Sequence, residues 1–384
     1  PGISFINYKT KKVKITTIQK KLSELIKNKN QIINSLSKDY KYNFNKQVLK
    51  KYKRSLDYRV IGMGGSSLGA KAIYNFLKHK IKKNFIFVDD LKNKKNKKKP
   101  KKNTNIIVSK SGNTIETIVN SNILIKKNDK NIFITENKQN YLYLFAEKLK
   151  AEIVHHNNFI GGRYSVLSEV GMLPAELMGL SAEKFRKFNQ LILNKYFVNS
   201  LIQNVSCTFS LVKKKKFNSI ILNYDDGSES LFKWYQQLIA ESLGKEGKGI
   251  MPIISSMPKD NHSLMQYYLD GTKNHFFTFF YVNEKSLKKI KNKELLNSHY
   301  YLKGKSLKDI SYSMFTSSQR IFNKKKIPFR SFVLNNRNEE TLGELFSFFI
   351  LETILLGKVM KVDPYNQPAV EMIKKETKNI LIRS

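Results

Sequence analysis

Residues 58–79 read YRVIGMGGSSLGAKAIYNFLKH. An apolar run ends in a cluster of glycines, and from Leu68 onward the apolar positions recur at helical spacing. A strand (58–64), a glycine-rich turn and a helix (68–79) in direct succession place a strand's carboxyl end against a helix N-terminus. The same rhythm continues downstream. NFIFVDD (84–90), TNIIVSK (104–110), NIFITE (131–136) and AEIVHH (151–156) read as strands, with helices at 114–126 and 141–149. Near-continuous apolar strands separated by helices predict a parallel sheet covered on both faces.

After a helical stretch at about 165–215 the alternation returns. FNSIILNY (217–224), IMPIISS (250–256), FFTFFYV (276–282) and PFRSFVL (328–334) read as strands, and 230–243, 262–271 and 311–324 as helices. A long helix from Glu339 to Met360 and another near the C-terminus follow. The predicted fold class is therefore α/β, two α/β/α sandwich units with mainly parallel sheets plus N- and C-terminal helices. The expected division is a helical arm at 1–50, sandwich units at 51–204 and 205–335, and C-terminal helices at 336–384 packing on them.

The 384 residues carry 70 Lys and Arg against 30 Asp and Glu, a formal charge of +40. Such a balance is the electrostatic footprint of a nucleic-acid binder. Here, however, lysines are spread along the chain among many Asn, Ile, Phe and Tyr, residues that share A/T-rich codons. Base-composition drift competes with function as the cause, and nucleic acid is not the expected partner. The densest run, KNKKNKKKPKK (92–102), reads as a solvated loop. The field would still draw anions toward the protein. No apolar run reaches the roughly 18 residues of a membrane span; LGELFSFFILETILLG is interrupted by Glu344 and Glu352 and reads as a buried helix. The opening residues lack the charged-then-apolar order of a signal peptide, so a cytoplasmic location is expected. A single cysteine, Cys207, excludes an intrachain disulfide.

Six stretches could carry chemistry. In VIGMGGSSLGAKAI (60–73) the glycines, including Gly65 beside Ser66, let backbone N–H groups approach an anion at a helix N-terminus. IIVSKSGNTIET (106–117) sets Ser109, Ser111, Thr114 and Thr117 at a strand's carboxyl end. Read alone, this is either a neutral phosphate cradle or a capped helix, with Ser111 as cap of a helix opening near Gly112 and Glu116 in its first turn. IGGRYSVLSEVGMLP (160–174) holds Arg163 directly after Gly162, close to the backbone of a turn. WYQQLIAESLGKEGKGIMPI (234–253) carries Gln237 and, near a helix end, Glu241, which on position alone is either a solvated carboxylate or a general base facing a cleft. KDNHSLMQYYLDG (259–271) opens a predicted helix at His262, and DPYNQPAVEMIKKETK (363–378) sets Gln367 before a helix bearing Lys374.

Taken together and in order, IGMGGSSLG, SKSGNTIET, GGRYSVLSEVGMLP, WYQQLIAESLGKEGKG, NHSLMQ and YNQPAVEMIK resemble the motifs of the phosphoglucose isomerase (glucose-6-phosphate isomerase) family, built from two sugar-isomerase (SIS) domains. The last motif departs from the family pattern with Tyr365-Asn366 for Phe-Asp and Ala369 for Gly. The resemblance implies reversible isomerisation of glucose 6-phosphate and fructose 6-phosphate through a cis-enediol, in glycolysis and gluconeogenesis. It implies that Ser109, Ser111 and Thr114 bind the phosphate, with Thr117, Ser66 and Gly65 nearby, and that Gln237, Gln367 and Gly162 line the sugar. Glu241 is then the base, Arg163 stabilises the enediolate, and His262 with Lys374 serves ring opening. It also implies a homodimer in which His262 crosses to the partner's site, and no metal or redox cofactor. Two alternatives stay open: a bifunctional phosphoglucose/phosphomannose isomerase, and a SIS-type sugar-phosphate-binding regulator.

Overall fold

The computed structural model describes residues 2–91, 103–126, 128–284, 288–291 and 295–383; the lysine run 92–102 lies outside them. Among the described residues, ten strands run β1 (Ile3–Ile6), β2 (Asp57–Ile61), β3 (Asn84–Val88), β4 (Thr104–Val108), β5 (Lys130–Thr135), β6 (Glu152–His155), β7 (Asn218–Asn223), β8 (Met251–Ser256), β9 (His275–Val282) and β10 (Phe329–Leu334). They form two five-stranded sheets. The first, β3-β2-β4-β5-β6, is parallel throughout. The second is β8-β7-β9-β10-β1, parallel except that β1 runs antiparallel along β10. In each sheet the first strand of the unit sits second from an edge, and the order reverses between it and the third strand. The two halves thus share one winding.

Each sheet is apolar on both faces because its strands alternate between two sets of helices. Ile106 and Val108 of β4 join the large core between the sheets, while Ile107 joins a smaller core with Ile61, Phe133 and Leu142 on the outer face. In β9, Phe276 and Phe280 point to the central core, and Phe277, Phe279 and Tyr281 to the outer one. Helices Leu68–Phe76, Glu169–Met178, Lys195–Lys213, Glu229–Leu243 and Glu339–Met360 fill the space between the sheets. The last is buried almost all round, Glu344 and Glu352 included, as its largely apolar sequence requires. Among the described residues, no helix is long and apolar enough to cross a membrane. The abundant asparagines serve as N-caps: Asn30, Asn45, Asn140, Asn194 and Asn338 each accept from backbone N–H groups of a first turn.

Two charged clusters sit inside this frame. Arg330 pairs with Glu352 in the central core, both almost fully buried, and its other donors reach Thr278 Oγ1 (2.9 Å), Tyr235 Oη (3.3 Å) and Asn204 Oδ1 (3.4 Å). At the carboxyl ends of β7 and β9, Arg337 bonds Asp225 Oδ1 and Glu284 Oε1, each at 2.5 Å, and Phe76 O at 3.4 Å. An ion triad thereby sits at the switch point of the second sheet.

Three features differ from the sequence reading. The first fifty residues are not helical throughout: residues 3–6 form β1, whose register pairs Ile3 with Leu334 and Ile6 with Ser331. His262 does not open a helix. It ends a 3-10 turn (Lys259–Asn261), and the helix runs only over Met265–Asp270. The helix after β4 begins at Ile115 rather than near Gly112, because Gly112 adopts φ +64° and Thr114 takes the N-cap position.

Candidate active site

The carboxyl ends of β2 and β4 lie side by side where the order of the first sheet reverses, the place where open α/β sheets present a crevice. After β2 the chain makes a single 3-10 turn, Gly64–Ser66, before helix Leu68–Phe76. Gly65 is required by close approach: a Cβ there would lie 2.2 Å from the Gly162 carbonyl carbon and 2.5 Å from Arg163 N. Both obstacles are backbone and cannot swing away. Gly65→Ala is expected to destabilise the fold by about 1–3 kcal/mol and to lower turnover by displacing Arg163. Urea unfolding with parallel steady-state kinetics checks it; unchanged values would mean that the two turns are not packed as described.

After β4 the backbone of 109–114 rests on the helix that follows β5, Tyr141–Lys148. Leu142 N donates to Gly112 O (3.2 Å), Tyr141 N to Asn113 Oδ1 (3.3 Å), and the Asn140 amide fills the space beside Gly112 where a side chain would stand. Within the loop Ser109 Oγ and Thr114 Oγ1 bond each other at 2.9 Å, and Ser111 Oγ accepts from Asn113 N at 3.3 Å. Neither Ser111 nor Thr114 caps helix Ile115–Leu124 through its side chain. Ser111 is exposed and Thr114 half-buried, whereas Ser109 and Thr117 are buried beneath them, Thr117 Oγ1 with no hydrogen-bond partner. Burial holds the Lys110 ammonium below the usual lysine range, an effect that Glu136 opposes.

The loop after β6 delivers Arg163, and helix Glu229–Leu243 delivers Gln237 and Glu241 from the second half. Trp234 of that helix donates from Nε1 to Arg163 O (3.1 Å). The Arg163 side chain is 1% exposed, and each of its three nitrogens is engaged. Nε donates to Ser242 Oγ (2.8 Å), and Nη2 to Pro364 O (2.7 Å) and Asn366 O (3.2 Å). Nη1 donates to Gln367 Oε1 and stands 3.3 Å from Glu241 Oε1. The other carboxylate oxygen of Glu241 accepts from Gln237 Nε2 (2.9 Å). Gln237 Oε1 is buried without a partner, and its amide nitrogen lies 2.9 Å from where a Gly64 Cβ would be. The result is a half-buried carboxylate oriented by two donors, beside an open acceptor that a hydroxyl could satisfy.

Gly65, Ser66, Gly162, Arg163, Gln237, Glu241 and Gln367 are thus gathered at one mouth, with Ser109–Thr114 adjoining. A Cβ on Gly62 would lie 2.9 Å from Val108 O, which measures how closely the two loops approach. Two of the expected residues stand apart. His262 is exposed in the turn after β8, and Lys374 is exposed on helix Pro368–Arg383, bonded to Glu371 (2.6 Å). A cavity of about 360 Å³ lined by Gly2, Asn194, Asn338 and Glu344 opens elsewhere and holds none of these side chains. Sequence reasoning missed Tyr164, Ser242 and Lys245. Tyr164 Oη bonds Ser242 Oγ and Pro364 O, both at 2.9 Å, and burial pushes its phenol up to about 12. All three lie inside the quoted motifs, and only their lack of obvious chemistry hid them.

The profile of the phosphoglucose isomerase family matches residues 50–383. The glucose-6-phosphate isomerase of Methanocaldococcus jannaschii is 32% identical over 352 residues, covering 85% of each chain. That of Mycoplasmopsis pulmonis is 33% identical over 351 residues, covering 84% of this chain and 82% of the relative. Among solved structures, a glucose-6-phosphate isomerase from Chlamydia trachomatis superposes with a TM-score of 0.76 over 99% of this chain and 88% of its own, at 16% identity. At that identity the likeness is one of fold. The sequence matches carry the assignment further: this chain belongs to the phosphoglucose isomerase family.

Proposed function

We propose that the chain interconverts glucose 6-phosphate and fructose 6-phosphate through a cis-enediol. The observation that carries this reading is the Glu241 carboxylate, held between Arg163 Nη1 and Gln237 Nε2 at the mouth of the sheet's switch point. A single carboxylate above a cis-enediol reaches both carbons, so Glu241 takes the C2 proton and returns it at C1. Arg163 is preorganised to meet negative charge on the enediolate oxygen, at no cost of reorganisation during the reaction. The open acceptor of Gln237, with Gln367, receives sugar hydroxyls. Ser111 and Thr114 bind the phosphate above Ser109 and Thr117, with Ser66 beside them, and the N-terminus of helix Ile115–Leu124 supplies part of the field.

Ring opening is assigned to His262 and Lys374, which makes a homodimer part of the proposal. His262 is exposed in the turn after β8, and helix Pro368–Arg383 buries none of its residues, leaving Met372, Ile373, Ile380 and Ile382 exposed on it. Both observations favour a second copy that brings His262 to this mouth and covers the helix. The segments 51–204 and 205–335 are proposed as the two SIS units, and a cytoplasmic setting fits the substrate.

The direct test is to supply fructose 6-phosphate to the purified chain and follow glucose 6-phosphate with a coupled dehydrogenase. Turnover is expected, and its absence would remove the reading; mannose 6-phosphate in parallel separates the bifunctional alternative. For the phosphate loop, Ser111→Ala with Thr114→Ala is expected to raise KM at least about tenfold, since hydrogen bonds to a charged group contribute about 1.5–3 kcal/mol each. An unchanged KM would assign both hydroxyls to the loop's own architecture.

A further inference from the structure

Lys245 follows Gly244, the C-cap of the helix that carries Glu241. Its backbone is pinned in a tight turn: Lys245 N donates to Lys248 O (3.0 Å) and Lys248 N returns to Lys245 O (2.8 Å), with Glu246 and Gly247 between them at positive φ. From this fixed base its ammonium reaches two carbonyls. One is Ser242 O (2.9 Å), in the last helical turn, where carbonyls lack intrahelical partners and a cation suits the helix dipole. The other is Asp363 O, at the start of the segment 363–367.

That segment is the strap that lies against Arg163. Arg163 and Tyr164 grip it through Pro364 O, Asn366 O and the Gln367 side chain. Asp363 Oδ1 accepts from Tyr365 N (2.9 Å), and Tyr365 Oη accepts from Asn30 Nδ2 (3.2 Å). Gln367 and Glu241 converge on the same nitrogen of Arg163, one from the strap and one from the helix. Their mutual placement therefore depends on how strap and helix end are joined, and Lys245 bridges the two beyond Arg163 itself. Burial, then the neighbouring Arg163 charge, holds its ammonium below the usual lysine range, while Asp363, Glu241 and Glu246 oppose the shift.

We propose that Lys245 is a positioning residue for the isomerisation, fixing the strap 363–367 to the last turn of helix Glu229–Leu243 so that Gln367 and Glu241 meet Arg163 in one geometry. The inference rests on the isomerase reading, and the assay separates the two. A parent chain without turnover removes that reading. A parent chain with turnover makes the Lys245 variants informative.

Lys245→Met is expected to lower kcat about tenfold or more, as misplacement of catalytic groups by about 1 Å does, with KM within about twofold of the parent. Lys245→Arg, which keeps a long cationic donor, is expected to recover kcat to within about threefold. The thermal midpoint of both variants should stay within a few degrees of the parent. The proposal is overturned if Lys245→Met keeps kcat within twofold, or if both variants lose kcat equally. It is equally overturned if the loss follows KM or comes with a collapse in thermal midpoint.

Discussion

Glu241→Gln is expected to lower kcat by at least about a thousandfold, at the upper end of what a positioned base contributes, while sugar-phosphate binding survives. The geometry says why the variant remains a clean probe. Both oxygens of Glu241 accept, one from Arg163 Nη1 and one from Gln237 Nε2, so a glutamine amide must turn its NH2 toward one donor. Arg163 cannot give way, being fixed by Ser242, Pro364 and Asn366. Gln237 can: its unpartnered Oε1 turns in to accept once the amide flips. The site therefore absorbs the substitution without an orphaned donor at Arg163. Titration calorimetry with the product sugar phosphate should give an affinity near that of the parent, and turnover within tenfold of the parent would exclude Glu241 as the base.

The largest effect on stability is expected at Glu352→Ala. Removing one member of a fully buried ion pair strands the other charge, at about 3–5 kcal/mol. Arg330 would keep only neutral acceptors at Thr278, Tyr235 and Asn204. Because Tyr235 belongs to the helix that carries Glu241, thermal inactivation should accelerate together with the loss of equilibrium stability. The double variant Arg330→Met with Glu352→Leu should recover much of the loss, since an apolar pair of similar volume needs no charge compensation. A single variant as stable as the parent would show that water or a neighbouring group compensates Arg330.

Most of the fold was legible because its strands are nearly continuous apolar runs and its helices carry local signals. The strands found at 57–61, 84–88, 104–108 and 130–135 fall where the apolar runs do. What escaped depended on distance along the chain or on backbone angle. Strand β1 has four residues and a partner more than 300 positions away, so nothing near Ile3 announces it. Ser111 reads as a cap because Ser precedes an apolar helix, but the left-handed Gly112 and the Asn140 wedge move the helix start to Ile115. Arg163, Gln237 with Glu241, and Gln367 are brought together from three separate stretches, which order alone could foretell only through the family resemblance. Lys245 acts through main-chain carbonyls, and a contact of that kind leaves no side-chain partner to notice in the sequence.

The repeated winding has one more consequence. A scaffold made of two like halves repeats one switch point in each sheet. At the second, the groups present are the carboxylates of Asp225 and Glu284, and Arg337 donates to both of them and to Phe76 O. The triad thus acts as a rivet, tying the end of helix Leu68–Phe76 to the carboxyl ends of the opposite sheet's strands.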